Sequence, residues 1–88
     1  MRRVRVRIRG AVQGVGFRYE ARARAQSLGV AGWARNLGDG TVEAVFEGGE
    51  DAVGSMVTWC RRGPRGAQVD EIAVKDEEPR GEQGFSVA

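Results

Sequence analysis

The sequence contains no histidine and only one cysteine, Cys60. The absence of histidine excludes Ser–His and Cys–His nucleophilic mechanisms and histidine-based metal sites. A single cysteine provides neither a disulfide framework nor a thiolate metal cluster. Any catalysis must therefore rest on arginine, carboxylates, amides, hydroxyls or main-chain groups, and we expect no metal and no cofactor.

Long apolar runs are also lacking. No segment is long enough to cross a bilayer, and the basic start is not followed by the apolar centre of a signal peptide. A length of 88 residues predicts one domain, residues 1–88, with a single thin core. We therefore expect a cytoplasmic protein with no membrane partner.

The cations are almost all arginine, because Lys75 is the only lysine, and the net charge is only +2. Five of the arginines fall within residues 2–9. There they alternate with Val4, Val6 and Ile8, a period of two that predicts a half-buried strand. A charge so close to neutral does not in itself call for a nucleic-acid partner.

Hydrophobic periodicity and turn residues predict the remaining elements. The expected helices are Phe17–Leu28 and Glu50–Arg62, and the expected strands after the first are Val30–Asn36, Thr41–Glu47, Val69–Lys75 and Phe85–Val87. The apolar stripes that we expect to be buried are Phe17, Ala21, Ala25 and Leu28 in the first helix, Val53, Met56, Val57 and Cys60 in the second, and Ile72 and Val74 in the fourth strand.

The order of elements is strand, helix, strand, strand, helix, strand. It predicts a ferredoxin-like α+β sandwich of βαββαβ type, with an antiparallel sheet and both helices on one face. The first and third strands would be central neighbours, so that Arg5, Arg7 and Arg9 lie opposite Glu43 and Glu47. We interpret this arginine row as a neutralised open sheet face rather than as a nucleic-acid stripe.

Residues 10–18 (GAVQGVGFR) join the first strand to the first helix and carry three glycines. Glycine allows a tight turn and a close approach of the backbone to a ligand. If a helix begins near Phe17, the preceding amides lack intrahelical partners and favour an anion, commonly a phosphate. Arg18 would add a planar, permanently charged group beside them. A glycine-rich turn followed by a surface arginine remains the alternative from this stretch alone.

Asn36 is the only asparagine in the chain, and it falls where the second strand meets the hairpin turn. Asparagine is common in turns because its side chain bonds the main chain nearby. The same uncharged amide can both accept from and donate to a nucleophilic water, which a phosphate site without histidine, thiol or metal would need. Both interpretations stay open on this residue alone.

Residues 10–18 and 32–43 (GWARNLGDGTVE) resemble the two signatures of the acylphosphatase family. In the second half of the chain, the residues that are similar to the family's pattern are Trp59, residues 63–64 (GP), Ala67 and Val69. Leu37 departs from it, because some relatives carry a threonine there. The resemblance covers nearly the whole chain and implies a ferredoxin-like fold and hydrolysis of the carboxyl–phosphate bond of small acyl phosphates.

The resemblance also implies roles for individual residues. Arg18 corresponds to the family's phosphate-binding arginine, and Asn36 to the asparagine that orients the attacking water. The main-chain amides of the phosphate-binding loop belong to Gln13, Gly14, Val15, Gly16, Phe17 and Arg18. The expected partners are an acyl phosphate as substrate and inorganic phosphate as product and inhibitor, with no nucleic acid, for a protein that acts as a monomer.

Two other functions remain as alternatives. Small βαββαβ domains often bind RNA on the open sheet face, although the aromatic signature for base stacking is absent here. The chain would otherwise be a catalytically silent domain that binds an acyl group or a phosphate, because acylphosphatase-like domains also occur inside larger proteins. An acyl-phosphate hydrolysis assay separates these alternatives from the enzyme.

Overall fold

The computed structural model describes residues 1–88, which form five strands and two helices. In chain order they are β1 (Arg2–Ala11), α1 (Phe17–Leu28), β2 (Ala31–Asn36), β3 (Val42–Gly48), α2 (Glu50–Cys60), β4 (Gln68–Glu77) and β5 (Phe85–Val87). Neither helix has the length and apolar character needed to cross a bilayer.

The five strands form one sheet in the order β4-β1-β3-β2-β5. The four longer strands are antiparallel to their neighbours, as predicted, with β1 and β3 in the centre. The short β5 pairs parallel to β2 and makes the sheet mixed. The order of the four longer strands confirms the predicted ferredoxin-like α+β fold.

Both ends of α1 lie where the sequence predicts them, because a glycine in left-handed conformation stands at each end. Gly16 precedes the helix with φ of 78°, and Gly29 follows it with φ of 70°. Helix α2 ends at Cys60, two residues before the predicted Arg62. Beyond Cys60 the amide of Arg61 donates to the carbonyl three residues back, and Gly63 with φ of 72° turns the chain away.

The core lies between the sheet and the two helices and confirms most of the predicted apolar stripes. Its members include Val4, Val6, Ile8, Phe17, Ala21, Ala25, Val42, Ala44, Phe46, Val53, Met56, Val57, Trp59 and Cys60. Two predictions of burial are wrong. Leu28, in the last turn of α1, is 44% exposed, and Val74 is 37% exposed on β4, the strand at one edge of the sheet.

Cys60 lies in this core with no exposed surface. Burial in apolar surroundings disfavours the thiolate and raises the pKa of the Cys60 thiol to about 12. Cys60 is therefore a packing residue, as predicted from its place on the helical stripe.

The open sheet face, the face opposite the helices, carries the predicted arginine row, but its pairing differs in detail. Arg7 lies opposite Glu43 and Arg3 opposite Glu47 in the β1–β3 register. Arg9 instead approaches Glu71 on β4, at 3.5 Å, with both side chains mostly exposed. The carboxylates that face the arginine row therefore come from both strands that flank β1.

Arg3 is the buried member of the row, and its side chain has no exposed surface. Its Nη1 donates to Glu47 at 3.2 Å and to Glu82 at 2.9 Å, and its Nε donates to Glu77 at 2.9 Å. Burial alone would lower the pKa of Arg3, but the three hydrogen bonds outweigh it and raise that pKa. We call these four residues the Arg3 cluster.

Glu47 extends the cluster to the segment between β4 and β5. Its carboxylate accepts the amides of Arg80 and Gly81 at 2.8 Å each and that of Glu82 at 2.9 Å. These main-chain hydrogen bonds, with that of Arg80 the largest cause, lower the pKa of Glu47. The cluster therefore fixes the path of the chain into β5.

Candidate active site

Five of the seven predicted site residues meet in one pocket of about 260 Å³ at the end of the sheet where β1 runs into α1. Its lining residues are Val12, Gly14, Gly16, Phe17, Arg18, Tyr19 and Asn36. Arg18 and Asn36, which stand in different elements 18 positions apart in the chain, thus face one space. Of the predicted loop residues, Gln13 and Val15 do not line it.

The loop before α1 presents main-chain donors that have no acceptor within the protein. The amides of residues 14–18 donate to no main-chain carbonyl, and the first helical bond is made by the amide of Glu20 to Gly16 at 3.0 Å. No side chain caps α1. Free amides at a helix N-terminus form a concave, electropositive surface that suits an anion.

Glycine is required in this loop for a conformational reason. Gly14 and Gly16 have φ of 76° and 78°, in the left-handed region that disfavours residues with a Cβ. At both positions the space around a Cβ would be empty, so the requirement comes from the backbone rather than from crowding.

Arg18 lies in the first turn of α1, with its guanidinium carbon 5.5 Å from the ring centre of Tyr19. Its Nη1 donates to the main-chain oxygen of Ala88, which in turn is placed by the bond from the Ala88 amide to Ala34 at 3.0 Å. This is the one hydrogen bond that the guanidinium makes within the protein. The other donors remain available beside the free amides.

Asn36 is the last residue of β2 and pairs with Val42 in the register of β2 and β3. Its side chain is exposed and makes no hydrogen bond within the protein. The turn is instead closed by Asp39, whose Oδ1 accepts from the Oγ1 of Thr41 at 2.6 Å and from its amide at 3.0 Å. The bond to the main chain that the turn interpretation calls for is therefore made by Asp39 and not by Asn36.

The Asp39 interaction has an electrostatic consequence. The hydroxyl and the amide of Thr41, in that order, lower the pKa of the Asp39 carboxyl. Asp39 is therefore a charged turn residue at neutral pH, outside the pocket lining.

Gln13 has a contact that sequence reasoning missed. Its side-chain Nε2 donates to the carbonyl oxygens of Leu37 at 2.8 Å and Thr41 at 3.0 Å. The sequence assigned Gln13 only a main-chain amide, since nothing in a local pattern indicates acceptors 24 and 28 residues away. Val12 and Tyr19 also line the pocket, although neither was predicted as a site residue.

The open sheet face is not arranged as a base-stacking surface. The guanidinium groups of Arg5 and Arg35 lie 5.3 and 5.1 Å from the ring centre of Trp33. Both arginines also bind Glu43, whose pKa is lowered because hydrogen bonds from Arg35 and Arg5 outweigh its burial. The one large aromatic ring of this face is therefore already engaged by arginine.

Three larger grooves, of about 440, 510 and 770 Å³, lie along α2 or beside the segment that follows it, and none contains Arg18 or Asn36. In addition, no group of three or more Cys, Asp or Glu side chains is placed to hold a metal ion. The pocket before α1 is the place where the predicted site residues converge.

Comparisons with known proteins give the family. The family model for Acylphosphatase matches residues 4–87. An Acylphosphatase of Trichormus variabilis is 56% identical over 85 residues, which are 97% of this chain and 84% of that protein. The crystal structure of acylphosphatase from Bacillus subtilis has a TM-score of 0.96 and 37% identity, and the match covers 100% of this chain and 99% of that one.

A third likeness is to part of a much longer protein. Full-length HypF, in a phosphate- and nucleotide-bound form, matches with a TM-score of 0.86 and 26% identity, over 99% of this chain but 12% of that one. The same fold thus also occurs as a small part of a larger chain. With the family model matching almost the whole sequence, and with relatives of similar length above 50% identity, this chain belongs to the acylphosphatase family, whose members hydrolyse acyl phosphates.

Proposed function

We propose that this chain hydrolyses the carboxyl–phosphate bond of small acyl phosphates without a metal ion, releasing a carboxylate and inorganic phosphate. The observation that carries the proposal is that one pocket is lined by Arg18, by Asn36 and by loop residues whose amides are free, namely Gly14, Gly16 and Phe17. Three kinds of group needed for an in-line phosphoryl transfer are thereby present together.

The phosphate would be held by the loop and by Arg18. The amides supply fixed donors to the phosphoryl oxygens, and the guanidinium adds a planar, charged pair of donors. Their orientation is set by the fold before substrate arrives, so that they stabilise the charge of a loose transition state without reorganisation. The pocket lining includes no carboxylate and does include Arg18, so its charge favours an anion over a divalent cation.

Asn36 would orient the attacking water. Its side-chain amide has a donor and an acceptor that no group of the protein occupies, and Asn36 lines the same pocket as the loop. An acyl phosphate has a weakly basic carboxylate as leaving group, so a strong general base is not required. Holding water in line converts the attack into an effectively unimolecular step.

We further propose that residues 1–88 act as a single domain and as a monomer, and that inorganic phosphate inhibits as a product analogue. The likeness to a small part of HypF keeps one alternative open, a domain of this fold that binds a phosphate without turnover. RNA binding is not favoured, since Trp33 is engaged by Arg5 and Arg35.

The test is an acetyl phosphate hydrolysis assay after dialysis against a chelator, with Arg18→Ala, Asn36→Ala and, as control, Arg65→Ala, which removes an exposed arginine. Arg18→Ala is expected to weaken phosphate inhibition and to lower kcat. Asn36→Ala is expected to leave phosphate inhibition unchanged while kcat falls about a hundredfold, or about 3 kcal/mol of transition-state stabilisation.

Each part of the proposal has its own contradicting result. Activity that is lost on chelation and restored by magnesium would remove the metal-free mechanism. A folded Asn36→Ala protein with normal kcat would remove Asn36 from it. Phosphate binding without turnover in the unaltered protein would favour the silent binding domain.

A further inference from the structure

The side chain of Gln13 is the bridge between the phosphate-binding loop and the hairpin that carries Asn36. Both hydrogen bonds from its Nε2, at 2.8 and 3.0 Å, end on carbonyls of the segment between β2 and β3. Gln13 is partly buried and its side chain does not line the pocket. This side chain is therefore not placed to contact the substrate directly.

The two accepting carbonyls belong to residues that bracket the turn. The carbonyl of Thr41 also accepts the amide of Leu37 at 2.9 Å, and the carbonyl of Leu37 accepts the amide of Gly40 at 3.2 Å. Asn36 directly precedes Leu37 in the chain. A shift of this turn relative to the loop therefore shifts Asn36 relative to the free amides.

The turn's own bonds do not fix that relation. The contacts between Asp39 and Thr41 hold the shape of the turn, and the β2–β3 pairing ends at Asn36. Neither joins the turn to the loop before α1. The side-chain amide of Gln13 joins the turn to the loop through the N–H donors of its Nε2. A carboxylate or an apolar side chain of the same length has no such donors.

We propose that Gln13 is a positioning residue for the hydrolysis, because its side chain holds Asn36 at a fixed distance and angle from the amides that bind the phosphate. The inference rests on the function proposed above and adds to it a residue that acts through Asn36. Because a displacement of about 1 Å can cost up to a hundredfold in rate, the loss of this bridge is expected to be felt in turnover.

The first experiment uses Gln13→Met, which keeps the length of the side chain but has no donor, and Gln13→Glu, which keeps its shape but places a carboxylate against two carbonyls. Gln26→Met, on the exposed side of α1, is the matched control. For both Gln13 variants kcat is expected to fall about tenfold or more, while the inhibition constant for phosphate stays within about twofold, because the loop amides remain. An equal loss of phosphate affinity and kcat would overturn the proposal, since the side chain would then support only the loop.

A double-mutant cycle distinguishes action through Asn36 from an independent effect. In the Asn36→Ala background, Gln13→Met is expected to lower kcat by less than about twofold, because the group that it positions is already gone. An equal loss in both backgrounds would show that Gln13 acts by another route and would overturn the inference.

A structural readout keeps this inference separate from the proposed function. Asn36 is the only asparagine, so its side-chain amide can be identified by ¹⁵N NMR through comparison with Asn36→Ala. Gln13→Met is expected to shift and broaden this pair of signals, and Gln26→Met to leave it unchanged. An unmoved Asn36 signal in folded Gln13→Met refutes the positioning role even if the protein hydrolyses acyl phosphates, whereas absent hydrolysis with a shifted signal refutes only the function.

Discussion

Replacing Arg3 by methionine tests the buried cluster that anchors the last segment of the chain. Methionine fills part of the same volume but leaves Glu47, whose side chain is 2% exposed, without its guanidinium partner. Removing one partner of a buried ion pair costs about 3–5 kcal/mol, because an uncompensated charge remains in a dry environment. The cost here should lie near the lower end, since Glu77 keeps a hydrogen bond from Arg5 at 2.7 Å and Glu47 keeps three main-chain donors.

We therefore expect Arg3→Met to lose about 3 kcal/mol in the free energy of unfolding. For a domain of this size about 4–8 °C of melting temperature corresponds to each kcal/mol, which gives a decrease of roughly 12–24 °C. Circular dichroism melts and urea titrations measure it. Arg9→Met is the matched control, from the same strand and the same face, because its pair with Glu71 is 3.5 Å long and exposed. That variant should lose less than about 1 kcal/mol, and equal losses in the two variants would refute the reasoning.

Three further predictions follow from other features. The pKa of Glu77 is lowered to about 2, chiefly by the hydrogen bond from Arg5. The stability that this lowered pKa contributes is complete above the pKa of the unfolded chain and is lost as the carboxylate is protonated, so the free energy of unfolding should decline as the pH falls from about 4.5 towards 2. A melting temperature that does not change over this pH range would contradict the prediction. Inorganic phosphate should raise the free energy of unfolding by mass action, by about 2.7 kcal/mol at a hundredfold excess over Kd, and so raise the melting temperature; Arg18→Ala should abolish most of that shift. Gly32→Ala should fail to fold stably, because a Cβ would lie 1.8 Å from a main-chain oxygen of β3. Gly38→Ala, with open space around the added Cβ, should have almost the melting temperature of the unaltered protein. Similar melting temperatures for the two variants would contradict the close approach of β2 and β3 at Gly32.

The sequence predicted the order of elements well because the periodicities and the terminating glycines are local signals. Both limits of α1 are correct for this reason. The exposure of apolar residues at the edge of the core was predicted less well. Leu28 and Val74 fit apolar stripes, but a stripe does not show where the covering layer stops, and both residues lie at such a boundary.

In the candidate site, too, local features were predicted from the sequence and long-range contacts were not. Arg18 and Asn36 stand in motifs that can be recognised in the sequence, and the structure places both at one pocket. The side-chain contact of Gln13 and the carboxylates around Arg3 join segments that are far apart in the chain, separated by 24 to 79 positions. Such contacts depend on register and on chain crossing, and no local pattern specifies them.

The buried thiol of Cys60 gives this protein a built-in reporter of its own opening. A thiolate-selective reagent has no access to it in the closed molecule, where the side chain has no exposed surface and the pKa is about 12. Alkylation under native conditions must therefore proceed through transiently opened molecules. With rapid reclosing, its rate divided by that of an unstructured thiol equals the open fraction. Because the chain has one cysteine, a single mass-spectrometric time course can follow how ligands or substitutions change that fraction without denaturant.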